Sequence, residues 1–323
     1  MPNYQGVWSL STQYQNAVAW QAANRVPLSG NIGLIMAGTG GSYANYIGIE
    51  SIIITSTGNA VDYGELDVAR SNAGAFGSST RYVQGGNYGA RTTTCYGNFT
   101  NFGTAVEFGE LTSTIYGACT GASNNTRGII AGGNNAGGHS SQMDYCTIST
   151  VGNFTSFGTL TEARATLAGL ANTTRAVFGG GDPTGTSTSN KIDYSTIAST
   201  GSMSDFGDLN QAKQLRGAAS SSTRGLFMGG YMNGDPYNLN VIDYITIGST
   251  GNASDFGDLT VARRIGQGLS NAVRAVAIGG NSDAKGMDYV TIASTGNATD
   301  YGDLNSSYSQ NSSAASNSHG GIS

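Results

Sequence analysis

The chain is poor in charge, cysteine, proline and histidine. Of 323 residues, 11% are Asp, Glu, Lys or Arg, and there are 3 Cys, 4 Pro, 2 His and 2 Trp. Lys and Arg do not cluster and the net charge is −5, so the electrostatic footprint of a nucleic-acid binder is missing. Three cysteines (Cys95, Cys119, Cys146) cannot all pair within one chain, and their spacing fits no metal site; they read as buried free thiols. The longest apolar stretches, such as residues 32–38, are far too short to cross a bilayer, so no membrane insertion is expected. The first residues lack the basic start and apolar core of a signal peptide. What is abundant is Gly (50 residues), without the three-residue period of collagen, beside 17 Tyr and 10 Phe, which a disordered chain would not carry.

The abundant residues are arranged in a repeat. A Leu closing an aromatic-Gly-x-Leu segment stands at Leu66, Leu111, Leu160, Leu209, Leu259 and Leu304, at spacings of 45, 49, 49, 50 and 45 residues. Each unit begins with an apolar segment ending in a glycine pair, such as RAVFGGG (175–181) or RGLFMGG (224–230). A variable loop follows, then an alternating β-branched and aromatic stretch such as IDYITI (242–247), then STGN, then DFGDL, and a returning segment. Helical periodicity is absent. This predicts four short strands per unit, and a period of 45–50 residues suits propeller blades, not helical repeats. Blades set radially bury faces that one four-stranded sheet would expose. Six blades are expected, with residues 307–316 supplying the strand that the first blade lacks and so closing the ring. The alternative is seven blades, the extra one built from residues 319–323 and 4–10.

Glycine pair, aromatic strand, aromatic-x-x-Leu and Arg, in that order, resemble the kelch repeat over residues 33–318. Kelch-type units usually carry Trp where this chain has Tyr63, Phe108, Phe157, Phe206, Phe256 or Tyr301. The resemblance implies an all-β, kelch-like propeller and leaves function open.

Charges recur with the same period. Arg70, Arg164, Lys213 and Arg263 stand four residues after the Leu, where Ile115 and Tyr308 occupy the other units. Arg81, Arg127, Arg175, Arg224 and Arg274 stand fifteen or sixteen after it, with His319 in the last unit. Acids recur alongside them, so Arg70, Arg164, Arg263, Arg81, Arg175, Arg224 and Arg274 are expected to be structural inter-blade ties and not a cationic ligand ring. The acids ahead of the aromatic (Asp62, Glu107, Asp205, Asp255, Asp300) read as Asx-turn partners.

Catalysis needs a site that departs from the repeat. His139 and His319 lack a neighbouring acid and nucleophile in sequence. The ligand set of the copper oxidases among kelch-like propellers cannot be assembled, and SDFGDL lacks the spacing of a sialidase Asp box. The expectation is a non-enzyme with no metal and no cofactor.

Binding is the expected role. The STGN turn changes little between units, whereas the loops after the glycine pair differ in every unit. The richest, residues 231–240, offers Tyr231, Asn233, Asp235 and Tyr237; Tyr43 and Tyr46 add a second aromatic loop. These residues suit a glycan or a protein contact, or the loops simply tolerate change. Residues 1–30 precede the propeller (31–323) and hold both Trp; Tyr4, Trp8, Tyr14 and Trp20 mark a docking arm, onto its own propeller or onto another subunit. YQGVWSLSTQYQ, together with the TIxSTGNAxDFGDLxxAR units, resembles virion proteins of tailed bacteriophages, especially marine and cyanobacterial ones. That resemblance implies a particle component, a tail fibre, spike or capsid-surface protein. Its arm would meet other virion proteins and its loops a host-surface glycan or protein. The alternatives are a cellular lectin or scaffold propeller, soluble in the cytoplasm or outside the cell, and a hydrolase or lyase with its site in the central channel.

Overall fold

The structure, a computed structural model, describes residues 31–39, 46–87, 89, 91–115, 117–264, 266–281, 283–306 and 310–322. The described residues contain strands, turns and loops but no helix. They form six blades, each of four antiparallel strands, with Gly103–Thr104 added in parallel to the edge of the first and a separate two-stranded ribbon of Asn134–Asn135 and Gly138–His139. From the axis outward, blade 1 is Ser313–Ser316, Ile32–Met36, Tyr46–Ile53 and Val61–Arg70. Blade 2 is Gly74–Gly77, Arg81–Gly85, Arg91–Asn98 and Val106–Ile115. Blade 3 is Thr120–Ser123, Arg127–Ala131, Gln142–Thr147 and Thr155–Thr159; blade 4 is Ala168–Ala171, Arg175–Gly179, Lys191–Thr196 and Ser204–Asp208. Blade 5 is Gly217–Ser220, Arg224–Tyr231, Asn238–Thr246 and Ser254–Asp258; blade 6 is Gln267–Ser270, Arg274–Ile278, Gly286–Thr291 and Thr299–Asp303.

Each inner strand touches the inner strands of both neighbouring blades, which closes the ring at six. Closure is made by sequence ends: Gly33 pairs with Ser316 and Met36 with Ser313, antiparallel. The seven-bladed alternative is not formed. Residues 319–322 turn across the end of the central channel, where Gly320 N donates to Ser220 O and Gly321 O accepts from Asn125 N.

Apolar residues fill the spaces between blades. One cluster joins Leu170, Val177 and Ile192 of blade 4 to Phe227, Ile245 and Ile247 of blade 5. The repeated aromatic is the centre of each such layer: Phe206 and Phe256 are buried and meet Tyr194 and Tyr244 edge-on at 5.6 and 6.0 Å. Burying each such ring stabilises by roughly 1.5–3 kcal/mol.

The STGN and DFGDL words are two halves of one inter-blade joint. Gly251 N, in the STGN turn of blade 5, donates to Phe206 O in blade 4, and Asn252 Oδ1 accepts from Asp208 N at 3.0 Å. The same pair of bonds recurs with Gly296 and Asn297 on blade 5, and with Gly58 and Asn59 on blade 6. Asn therefore supplies the polar contact of this turn. The acids read as Asx partners (Asp62, Glu107, Asp205, Asp255, Asp300) instead stand exposed on the outer strands.

Inside the ring, serines make a second joint. Ser123 Oγ donates to Gly77 O (2.7 Å), Ser220 Oγ to Ala171 O (2.7 Å), Ser270 Oγ to Ser220 O (2.8 Å) and Ser316 Oγ to Ser270 O (2.6 Å). Each bond ties one blade to the blade before it.

Candidate ligand-binding face

Alternate loops of a four-stranded blade emerge on opposite faces. The inner-to-second turns and the STGN turns share one face; the loops after the glycine pairs and the blade-to-blade returns share the other. The first face is uniform and the second is varied.

The repeated cations serve the scaffold. Arg81 lies over the Tyr96 ring at 4.4 Å and donates from Nη1 to Ile148 O in the next blade at 2.9 Å. Arg175, Arg224 and Arg274 repeat this over Tyr194, Tyr244 and Tyr289, reaching Ile247 O, Ile292 O and Ile54 O. The second set is deeper. Arg263 pairs with Asp288 at 2.7 Å and donates to Gly286 O at 2.8 Å. Arg164 pairs with Asp193, Lys213 with Asp243 at 3.0 Å, and Arg70 with Asp67 at 3.1 Å. In blade 2 the strand position of the Asp is taken by Cys95, and the carboxylate comes instead from Asp67, on the same strand as Arg70.

On the varied face, the residue 231–238 loop of blade 5 stands out. Tyr231 and Tyr237 are stacked, with ring centroids 6.1 Å apart and planes 16° from parallel. The Arg264 guanidinium lies 5.0 Å from the Tyr231 centroid, and Tyr237 is 60% exposed. The loop is tied down at its base, where Tyr231 N donates to Gln214 O and Gln214 N to Tyr231 O, and at its tip, where Met232 N donates to Tyr237 O. Asn233 Nδ2 donates to Thr186 O of the blade 4 loop, so this amide is engaged within the face. Asp235 is exposed and precedes Pro236 across a cis bond. The contacts continue sideways: Gln214 Nε2 donates to Asp182 Oδ2 (3.1 Å), and His139 Nε2 lies 3.7 Å from Asp182 Oδ1. Loops of blades 3, 4 and 5 thus form one connected polar surface beside an aromatic stack.

Of the expected loop residues, Tyr231 and Tyr237 are brought together, with Asn233 and Asp235 on the same loop. Tyr46 belongs to blade 1; its ring lies over Gly48 of its own strand and is no part of the stack. Tyr43, Tyr4, Trp8, Tyr14 and Trp20 lie outside the described residues.

Two residues escaped the sequence reading. Arg264 follows the repeated Arg263, and only its doubling in TVARR marks it. Arg216 stands immediately ahead of the blade 5 inner strand, where the other blades have Ala73, Cys119, Leu167, Gly266 and Ser312. An alignment of the units on their inner strands would have exposed it as the one charge at that position.

Burial pushes the thiols of Cys95 and Cys146 up to about 12 and that of Cys119 up to about 11, which keeps them protonated. Among the described residues, no three His, Cys, Asp or Glu side chains are grouped to hold a metal ion. No family model matches the chain, and no curated protein is significantly similar to it.

Proposed function

We propose that this propeller is a non-enzymatic binding module, carried as a structural component of a phage particle, whose varied face engages glycan on a host surface. The observation that carries the binding reading is the exposed Tyr237 stacked on Tyr231, with Arg264 against the Tyr231 ring. Tyr faces offer rigid apolar area to the C–H face of a sugar, with the hydroxyl free to hydrogen-bond, at low entropic cost. Arg264 lies against the Tyr231 ring and the loop is hydrogen-bonded at its base and tip, so the platform exists before a ligand arrives. The repeated cations are committed to the scaffold, which leaves recognition to the loops. The virion setting rests on the resemblance of the tandem units and of residues 1–30 to tailed-phage particle proteins.

The test is a glycan array and a host-cell adsorption assay with the full chain and with Tyr237→Ala. Binding that falls tenfold or more in Tyr237→Ala supports the reading. No glycan hit, or equal binding by the variant, removes it. Separately, a particle assembled with the protein lacking residues 1–30 should fail to retain it; normal retention removes the docking role of the arm.

A further inference from the structure

The channel end on the varied face holds a charge without a partner. Arg216 is 6% exposed and donates from Nη2 to Asn72 Oδ1 at 2.7 Å. Asn72 leads into blade 2, opposite blade 5 in a ring of six, so this bond spans the channel. Arg216 Nε has no hydrogen-bond partner. No described Asp or Glu forms an ion pair with it, and the remaining residues of the chain include neither. The neighbouring Cys119 thiol, pushed up to about 11, is uncharged at neutral pH and provides no counter-charge. The contrast within the molecule is sharp: Arg70, Arg164, Lys213 and Arg263, equally buried, each have a carboxylate. A buried cation is strongly destabilising unless a counter-charge meets it.

Arg216 lines a cavity of about 30 Å³ with Cys119, Thr120, Gln267 and the small residues of the inner strands. The walls of that cavity are polar through their backbone. Ser78 N donates to Arg81 O, and the same bond recurs from Asn124 to Arg127, Asn172 to Arg175, Ser221 to Arg224 and Asn271 to Arg274. The alternation of an antiparallel pair then turns the N–H groups of Ala75, Gly121, Gly169, Ala218 and Gly268, together with their carbonyls, away from the second strand and into the channel. A volume near 30 Å³ is about one water molecule's share of the liquid. That is room for an occupant of water or chloride size.

We infer that this cavity is a binding site for one halide-sized anion, held by Arg216 Nε and by amide N–H groups of the inner strands, which neutralises the guanidinium and fastens blade 5 to blade 2 across the axis. A water molecule could accept from Nε but would leave the charge uncompensated.

Two measurements on the full chain decide it. In a bromide-soaked crystal, anomalous scattering should place a bromide beside Arg216 Nε; a site that scatters as water overturns the inference. In thermal unfolding, halide-free protein titrated with chloride at constant ionic strength against gluconate should melt at rising temperature. Arg216→Met, which follows the apolar precedent of Leu167, should melt independently of chloride. A melting temperature indifferent to chloride in the unsubstituted protein, or one equally responsive in Arg216→Met, overturns it. Should Arg216→Met fail to fold, the bromide experiment on the unsubstituted protein decides alone.

Discussion

Arg263 and Asp288 meet at 2.7 Å with both side chains almost wholly buried, one on the segment entering blade 6 and the other on that blade's third strand. The pair also gathers Thr260, whose N and Oγ1 donate to the same carboxylate. Removing Asp288 strands Thr260 and leaves the buried guanidinium only the partly exposed carboxylate of Asp283, at 3.5 Å. Asp288→Ala should therefore cost about 3–5 kcal/mol. Replacing both, as Arg263→Met with Asp288→Leu, should recover most of that loss. Urea denaturation of the two variants checks the contrast; equal losses would show that the site needs the ions themselves.

Gly207 and Gly251 separate backbone strain from crowding. Both have positive φ, at 143° and 153°. A Cβ on Gly207 would lie 2.5 Å from the Gly251 carbonyl, whereas one on Gly251 would meet nothing within 4 Å. Gly251→Ala should cost the conformational term alone, roughly 1–3 kcal/mol. Gly207→Ala must in addition push the neighbouring STGN turn away and lose the Gly251 N to Phe206 O bond. Its midpoint in urea should fall clearly below that of Gly251→Ala.

These glycines show what a sequence can carry. The period, the strands and the closure by residues near both ends follow from patterns that recur six times, because each blade solves the same burial problem. The joints were harder to read. The acid beside the aromatic looked like the turn's polar partner, yet the Asn of STGN takes that part from the next blade, a contact across some forty residues. The inner serines are invisible as a ring until the strands are set side by side. Arg264 and Arg216 are single departures from the repeat, and a reading built on repetition passes over them. Tyr231 and Tyr237 were legible as an aromatic loop; their stacking depends on a turn that composition does not specify.

The thiols supply a test of the packing. With burial raising Cys95 and Cys146 to about 12 and Cys119 to about 11, the native protein at pH 8 should give no rapid reaction with an aromatic disulfide reagent, and all 3 thiols should react in denaturant. The sign for stability follows. The unfolded thiols ionise near their ordinary value of 9.0, while the folded ones hold their protons until higher pH. Their contribution is complete below pH 9 and is lost as pH rises towards 11–12. A Cys146→Ala variant should lose less stability than the parent over that window.

His319 makes the opposite prediction at lower pH. Its Nε2 lies 3.0 Å from Gly77 O and 3.2 Å from Ser123 Oγ, while Nδ1 accepts from Gly321 N at 3.1 Å. Only the neutral ring with its proton on Nε2 satisfies the Gly77 carbonyl and the Gly321 amide together. Burial accordingly holds the imidazole below its ordinary value of 6.5, against the pull of the Gly77 carbonyl. The unfolded chain then binds the proton first, so this stabilisation is complete above pH 6.5 and disappears as pH falls through the lower folded value. Protonation sets an Nδ1–H against the Gly321 N–H and lifts residues 319–322 from the channel end. His319→Gln, compared with the parent by urea denaturation at half-unit steps from pH 8 to pH 5, should be the less stable at pH 8, with the gap closing towards pH 5. Subtraction cancels the groups that the two proteins share. A gap independent of pH would mean that His319 holds the turn by shape and not by its proton.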